Sequence, residues 1–125
     1  MRSVMWLQAK GGFPHGTPRV LELDTIDGDH AAVADGAFDV LVDDGGHQPH
    51  HQVATFRHWW RKVRVDGAYV IEDVKNASAM RAVTAGVLAA APAGAALCAP
   101  APYENILVIA LARELLLQLL PEARC

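Results

Sequence analysis

Two acidic pairs follow apolar stretches that have the composition of buried strands. The pair Asp43-Asp44 comes after the first stretch, and the pair Glu72-Asp73 comes after the second. In an open parallel sheet, ligands bind outside the carboxyl ends of the strands, so both pairs would converge on one crevice. Carboxylate oxygens suit hard divalent cations, and like charges this close together are costly without one. The pattern therefore favours a divalent-metal site.

Two other interpretations of these polar residues stay open. The acidic pairs could simply accept backbone hydrogen bonds at turns and stabilise nearby helix amino termini. The histidines at and after His47, namely His50, His51 and His58, could form a zinc cluster. We favour zinc less, because His50 and His51 point to different sides of a helix and no cysteine lies nearby. We place these three later histidines on a solvated face.

The surrounding sequence alternates between strand and helix signals. Pro49 is suited to open a helix whose apolar stripe runs through Val53, Phe56, Trp60 and Val63, with Trp59 beside the stripe. Strand, helix, strand, helix predicts parallel strands with crossover helices, and hence an α/β fold with a mostly parallel sheet. The predicted elements are strands at 20–23, 40–42 and 68–71 and helices from 49 and over 77–90.

The remaining segments are shorter. Two apolar runs at 95–98 and 106–111 are too close for a crossover helix, so they predict an antiparallel strand pair. Residues 115–120 predict a short closing helix. Residues 1–18 carry glycines and prolines without periodicity, which predicts an irregular leader.

Composition limits the classes of partner and compartment. The chain has 125 residues, enough for one domain, and its net charge of -3 provides no basic field for a phosphate backbone. We therefore expect no nucleic acid partner. The first residues are too short a run for a signal peptide, and Arg113 and Glu114 interrupt the last apolar stretch, so we expect a cytoplasmic protein without a membrane segment. Cys98 and Cys125 are expected to be free thiols.

Three blocks together carry a family resemblance. They are residues 38–47, which end in Asp-Asp-Gly-Gly-His; residues 52–56 with Gln52 and Phe56; and residues 66–73, which end in Glu-Asp. This ordered pattern resembles the central block of the class I S-adenosylmethionine-dependent methyltransferases. It is most similar to the metal-dependent sugar O-methyltransferases of macrolide biosynthesis. A weaker likeness extends over residues 19–111, in which 103–109 resemble the last strand of that fold.

The resemblance implies a partial Rossmann-like fold and a role for six acidic or histidine residues. A bound Mg²⁺ would lower the pKa of the acceptor hydroxyl, and a neutral imidazole would take its proton. The implied metal ligands are Asp44, Glu72 and Asp73, the general base is His47, and the residues that contact S-adenosylmethionine are Asp24 and Asp43.

The chain also departs from the family. Gly11-Gly12 does not stand between a predicted strand and helix, so the glycine-rich cofactor loop is not visible. Val74-Lys75-Asn76-Ala77 replaces the His-Thr-Ser-Tyr that often follows Glu-Asp. Residues 19–125 therefore resemble the carboxyl-terminal part of a methyltransferase domain. Its sheet would present an open edge, which a second copy or a partner chain would cover.

These observations lead to two expectations for function. The first is S-adenosylmethionine-dependent O-methylation of a hydroxylated small molecule, a sugar or natural product, assisted by Mg²⁺. The alternative is a truncated methyltransferase-like domain that is not catalytic and acts as an interaction module. A metal-dependent hydrolase is less favoured, because the sequence offers no nucleophile and no second-metal constellation.

Overall fold

A computed structural model describes residues 2–7, 19–26, 30–100 and 105–112. The elements in chain order are β1 (Arg2–Leu7), β2 (Arg19–Asp24), β3 (Phe38–Asp43), α1 (Pro49–Trp59), β4 (Val63–Ile71), α2 (Ala77–Ala90), β5 (Ala96–Cys98) and β6 (Leu107–Ala110). Short 3-10 turns lie at His30–Ala32 and Trp60–Lys62.

The sheet confirms an α/β fold, but its strand pairing is mixed. Its order is β3-β4-β6-β5, with β3 and β4 parallel and β6 antiparallel to both of its neighbours. The expectation of a mostly parallel sheet is therefore wrong. The physical reason is that β6 returns through a short connection after β5 and inserts between β4 and β5. The antiparallel pairing of the last two strands is confirmed.

The amino-terminal segment contains structure that its composition did not suggest. Arg2–Leu7 forms β1 and pairs antiparallel with β2 in a separate two-stranded sheet, so this part of the expected irregular leader is a strand. The division between a leader and a domain stays a prediction. The expected closing helix at 115–120 lies outside the described residues.

The helix α2 has the bounds that the sequence predicts. Asn76 has an extended backbone, and its side-chain oxygen accepts a hydrogen bond from the Ala79 amide at 2.9 Å, which caps the helix. Gly86 lets α2 approach α1 closely, because an added Cβ would lie 2.6 Å from a methyl carbon of Val53. The two helices therefore pack against each other.

The buried stripe of α1 differs from the expected one at the end of the helix. Trp59 is fully buried, whereas Trp60 is only partly buried. The α-helical hydrogen bonding ends at Trp59 and a 3-10 turn begins at Trp60. The buried residues of α1 are Gln52, Thr55, Phe56 and Trp59, and their spacing of three and four positions is that of one helical face. This face includes two polar residues, so it is rotated from the stripe predicted from apolar residues alone, and Trp60 packs against the core only in part.

Trp59 also fixes the segment after β2. Its indole N–H donates to the Thr25 carbonyl at 2.8 Å, and His30 Nε2 lies 2.9 Å from the same oxygen. The His30 ring contacts Trp59 edge to face at 5.2 Å and stacks on His58 at 4.5 Å. A buried side chain of α1 thus holds a backbone carbonyl that is distant in sequence.

The core lies between the helices and one face of the sheet. Phe56 and Tyr69 meet edge to face at 5.0 Å inside it. The other face is partly open at β3, where Val40 and Val42 are each 48% exposed. Among the described residues, the core side chains without solvent exposure are Phe56, Trp59, Tyr69, Ile71, Val83, Val87, Ile109 and Ala110.

Two further expectations concern the state of Cys98 and the absence of a membrane segment. Cys98 is disulfide-bonded, which corrects the expected free thiol. Among the described residues, no helix combines the length and the apolar character needed to cross a membrane.

Candidate functional site

Parallel pairing brings the two acidic stretches to one end of the sheet. Asp43 is opposite Ile71 in the register of β3 and β4, so the loops that follow both strands start side by side. The strand β3 ends at Asp43, and Gly45 and Gly46 follow in the loop. Pro49 begins α1, because its ring fixes a backbone angle suited to the first position of a helix. The short loop between them carries Asp44 and His47.

Three side chains from these loops form a cluster. Asp44, His47 and Asp73 each offer one ligand atom, and these atoms lie within 4.8 Å of one another. Asp44 and Asp73 are exposed, and His47 is half-buried. Two carboxylates and an imidazole at this separation can hold a divalent cation, and the imidazole can instead exchange a proton with a bound group.

Glu72 does not belong to this cluster. Its side chain is half-buried, and its backbone is tied on both sides. The Glu72 amide donates to the Asp43 carbonyl at 3.0 Å, and its carbonyl accepts from Gln52 Nε2 at 3.0 Å. The sequence predicted Asp44, Glu72 and Asp73 as the acidic group; the structure joins His47, rather than Glu72, to the two aspartates.

Asp43 lies inside the protein. Its carboxylate accepts a hydrogen bond from the Gly45 amide at 3.1 Å and one from the Tyr69 hydroxyl at 3.4 Å. Burial raises the pKa of Asp43 to about 6, against the lowering effect of these hydrogen bonds, and the neighbouring charge of Asp44 adds to the increase. Burial, with the Asp43 charge as a smaller cause, raises the pKa of Tyr69 well above its usual value. Asp43 thus closes a turn that spans Asp44.

Asp24 is the last residue of β2, and its backbone is paired with Arg2 of β1. Its side chain lies outside the described part of the structure. The predicted contacts of Asp24 and Asp43 with S-adenosylmethionine stay predictions.

An open pocket of about 330 Å³ adjoins the cluster. The nitrogen Nδ1 of His47 is buried without a hydrogen-bond partner, and so is the oxygen Oε1 of Gln52. Because Nδ1 is buried, Nε2 is the His47 nitrogen left to contact solvent or a ligand. The pocket is lined by His47, Asp73, Val74, Lys75 and Asn105.

No role was predicted for Gln52, Lys75 or Asn105. Gln52 and Asn105 fall within blocks that carry the family resemblance, and this was the available signal. Gln52 contacts Glu72, 20 positions away, and Asn105 contacts Asp73, 32 positions away. No local sequence pattern specifies contacts between residues so far apart in the chain.

Comparison with known proteins gives one partial similarity. The chain is 48% identical over 42 residues to the 8-demethyl-8-(2-methoxy-alpha-L-rhamnosyl)-tetracenomycin-C 3'-O-methyltransferase of Streptomyces olivaceus. The aligned part is 34% of this chain but only 11% of that enzyme. No protein-family model and no solved structure match the chain. The similarity thus relates about a third of this chain to one segment of a methyltransferase.

Proposed function

We propose that the chain belongs to an S-adenosylmethionine-dependent O-methyltransferase that acts on a hydroxylated small molecule with Mg²⁺ assistance. The single observation that carries the proposal is the meeting of Asp44, His47 and Asp73 at the carboxyl end of the parallel strands. The segment shared with a methyltransferase supports the same reaction class. That relative is named for a sugar hydroxyl as its acceptor, and we propose an acceptor of the same chemical type.

The donor set fits a divalent cation. Asp44 and Asp73 supply carboxylate oxygens, which Mg²⁺ prefers, and both are exposed so that water or substrate oxygens can complete the coordination. When bound, the cation would stabilise the negative charge that develops on the acceptor oxygen. Glu72 stays in the proposal as a further ligand, which would require its half-buried side chain to turn toward Asp73.

His47 is the proposed general base. Mg²⁺ disfavours nitrogen ligands, so a histidine beside two carboxylates is better suited to take a proton than to bind this ion. His47 lines the pocket and its Nδ1 is buried, so Nε2 would be the nitrogen that takes the proton of an acceptor hydroxyl bound there. The methyl group would then pass from the sulfonium of the cofactor to the deprotonated oxygen. Asp24 and Asp43 are the proposed cofactor contacts, with Asp43 acting from its buried position through the Gly45 turn.

The second candidate function is that of a non-catalytic interaction module. The observation that favours it is an exposed edge of the sheet. In the described residues, β3 is an end strand of the four-stranded sheet, and its Val40 and Val42 are each 48% exposed. The strand β1 lies close to β3 but does not pair with it, so the hydrogen-bonding edge of β3 has no strand partner among these residues. Exposed apolar edge strands pair readily with other chains. We propose that a second copy or a partner chain covers this edge, whether or not the protein is catalytic.

Calorimetric titration with S-adenosylmethionine, with and without Mg²⁺, tests the enzyme. We expect saturable binding that Mg²⁺ strengthens in the presence of a hydroxylated sugar acceptor. Asp73→Asn should remove the effect of Mg²⁺, whereas Asp66→Asn, at the opposite end of β4, should leave it unchanged. Absence of cofactor binding by a folded sample would exclude catalysis by this chain and favour the interaction module.

A further inference from the structure

The loop that carries Asp73 has an unusual backbone. Asp73 has a φ of 53°, in the left-handed region. Aspartate tolerates this region better than most residues, but it still costs free energy relative to the ordinary conformations. Such a conformation persists only where the surrounding structure specifies it. The contacts that hold Asp73 are therefore informative about its role.

Asn105 holds this loop at two consecutive residues. Its backbone carbonyl accepts a hydrogen bond from the Val74 amide at 2.9 Å. Its side-chain Nδ2 lies 3.3 Å from Asp73 Oδ1 and donates to it. On the other side of Asp73, the backbone of Glu72 is fixed by the Gln52 amide. The contacts of Asn105 come from the segment before β6, so the last strand of the sheet constrains the residue that follows β4.

We propose that Asn105 is a positioning residue that aims the Asp73 carboxylate at Asp44 and His47. This inference rests on the proposed function, since it concerns the same metal site. Each carboxylate oxygen has two lone pairs. Oδ1 of Asp73 uses one of them for the hydrogen bond from Asn105, so the carboxylate keeps free lone pairs that can bind a cation. Asn105 also lines the pocket with His47 and Asp73, which places it beside the site.

The geometry argues against a purely structural role for the Asn105 side chain. The backbone carbonyl alone would hold Val74, and any residue at 105 would supply it. Of the groups of Asn105, the side-chain amide is the one that donates to the Asp73 carboxylate. Hydrogen-bond partners of metal ligands typically change metal affinity by about 10- to 100-fold when they are removed. The side chain should therefore affect metal affinity more than it affects stability.

Manganese binding to the full chain, followed by electron paramagnetic resonance, tests the inference together with the thermal midpoint of each variant. Asn105→Leu removes the amide donor and keeps a side chain of similar volume. We expect it to weaken Mn²⁺ binding by about 10-fold or more with little change in the metal-free thermal midpoint. Asn105→Gln keeps the amide on a longer stem and should recover part of the affinity.

Asn76→Ala is the matched control. It removes an asparagine that caps α2 through the Ala79 amide, so it should lower the thermal midpoint and leave Mn²⁺ affinity unchanged. Equal affinity of Asn105→Leu and wild type would overturn the positioning role while leaving the metal site intact. Absence of Mn²⁺ binding by the folded wild type would instead overturn the metal site and, with it, this role. Asn105→Ala repeats the test if the leucine variant does not fold.

Discussion

The carboxylates at the two ends of the β3-β4 strand pair have different partners: those at one end form ion pairs, and those at the other end cluster together. At the amino-terminal end, Asp35 pairs with Lys62 at 2.7 Å. There, Arg64 pairs with Asp39 at 2.9 Å and with Asp66 at 2.8 Å. The carboxyl-terminal end carries the cluster of Asp44, His47 and Asp73, together with the buried Asp43. In the described part of the chain, no lysine or arginine forms an ion pair with these aspartates.

The difference separates structural from functional use of the same residue type. Carboxylates that are neutralised within the chain have little need of an external cation. Carboxylates that are gathered without a positive partner repel one another, and a bound cation relieves that repulsion. Uncompensated groups in a cleft are typical of functional sites, often at some cost in stability.

The largest expected effect is on metal binding. Asp73→Asn removes one of the two carboxylates in the cluster, and we expect Mn²⁺ affinity to fall by at least about 100-fold, since removing a ligand should exceed the loss of its hydrogen-bond partner. Asp39→Asn removes a paired carboxylate from the other end and should leave the affinity within about 2-fold of wild type, a change close to experimental error. Equal losses in both variants would contradict the distinction between the two ends.

The next effect is a pH dependence of stability that Asp43 controls. Its pKa is about 6 in the folded protein against an ordinary value of 3.8, so the folded state binds the proton more tightly than the unfolded chain does. This contribution to stability is complete below the unfolded pKa and is lost as the pH rises from about 4 through about 6. At about 1.36 kcal/mol per unit, the loss is on the order of 3 kcal/mol.

Urea unfolding in the presence of a chelator measures this effect. Between pH 4.5 and pH 7, wild type should lose more stability than Asp43→Asn, which cannot ionise. The comparison is a difference between two proteins, so the other titrating groups cancel. A stability of wild type that rises relative to the variant over this interval would show that Asp43 is stabilised as a carboxylate.

A smaller effect concerns packing at the paired end. Gly67 lies where the register of β3 and β4 shifts, and an added Cβ would stand 2.5 Å from the Asp39 carbonyl oxygen and 3.1 Å from that of Arg64. Because both contacts are to backbone, we expect Gly67→Ala to lower the free energy of unfolding by about 1–3 kcal/mol. Denaturant unfolding measures the loss. The Mn²⁺ affinity of Gly67→Ala should equal that of wild type. A loss of affinity would show that packing at the paired end affects the cluster at the other end.

The smallest effect is that of a surface ion pair. Asp35→Asn removes the partner of Lys62, and because Asp35 is 66% exposed we expect a loss of only about 0.2–1 kcal/mol in the free energy of unfolding. The difference should diminish in about 1 M salt, where surface charges are screened. A larger loss that salt does not reduce would show that packing of Lys62, rather than its charge, stabilises this end.

The sequence predicted the parts of the fold that local patterns specify. The apolar strand 40–42, the strand 68–71 and the helix 77–90 lie in β3, β4 and α2. Strand composition does not indicate which neighbour a late strand will choose, so the insertion of β6 between β4 and β5 was missed. The buried face of α1 was likewise misplaced, because it includes the polar residues Gln52 and Thr55 and therefore buries Trp59 more fully than Trp60.

The candidate site shows the same limit. The placement of acidic pairs after parallel strands correctly brought Asp44 and Asp73 together. Asp73 belongs to the cluster and Glu72 does not, and Asp73 has a left-handed backbone and a hydrogen bond from Asn105. Both depend on contacts between segments that are distant in sequence, so residue type and spacing alone could not specify them.

The bond from Trp59 to the Thr25 carbonyl also makes this tryptophan an optical reporter. Its indole is excluded from solvent and contacts the His30 imidazole edge to face. Detachment of the segment around Thr25 would hydrate the indole and shift its emission to longer wavelength. In a variant with Trp6 and Trp60 replaced by phenylalanine, fluorescence of Trp59 can therefore follow, in real time, whether the strand pair that precedes Thr25 stays attached to α1.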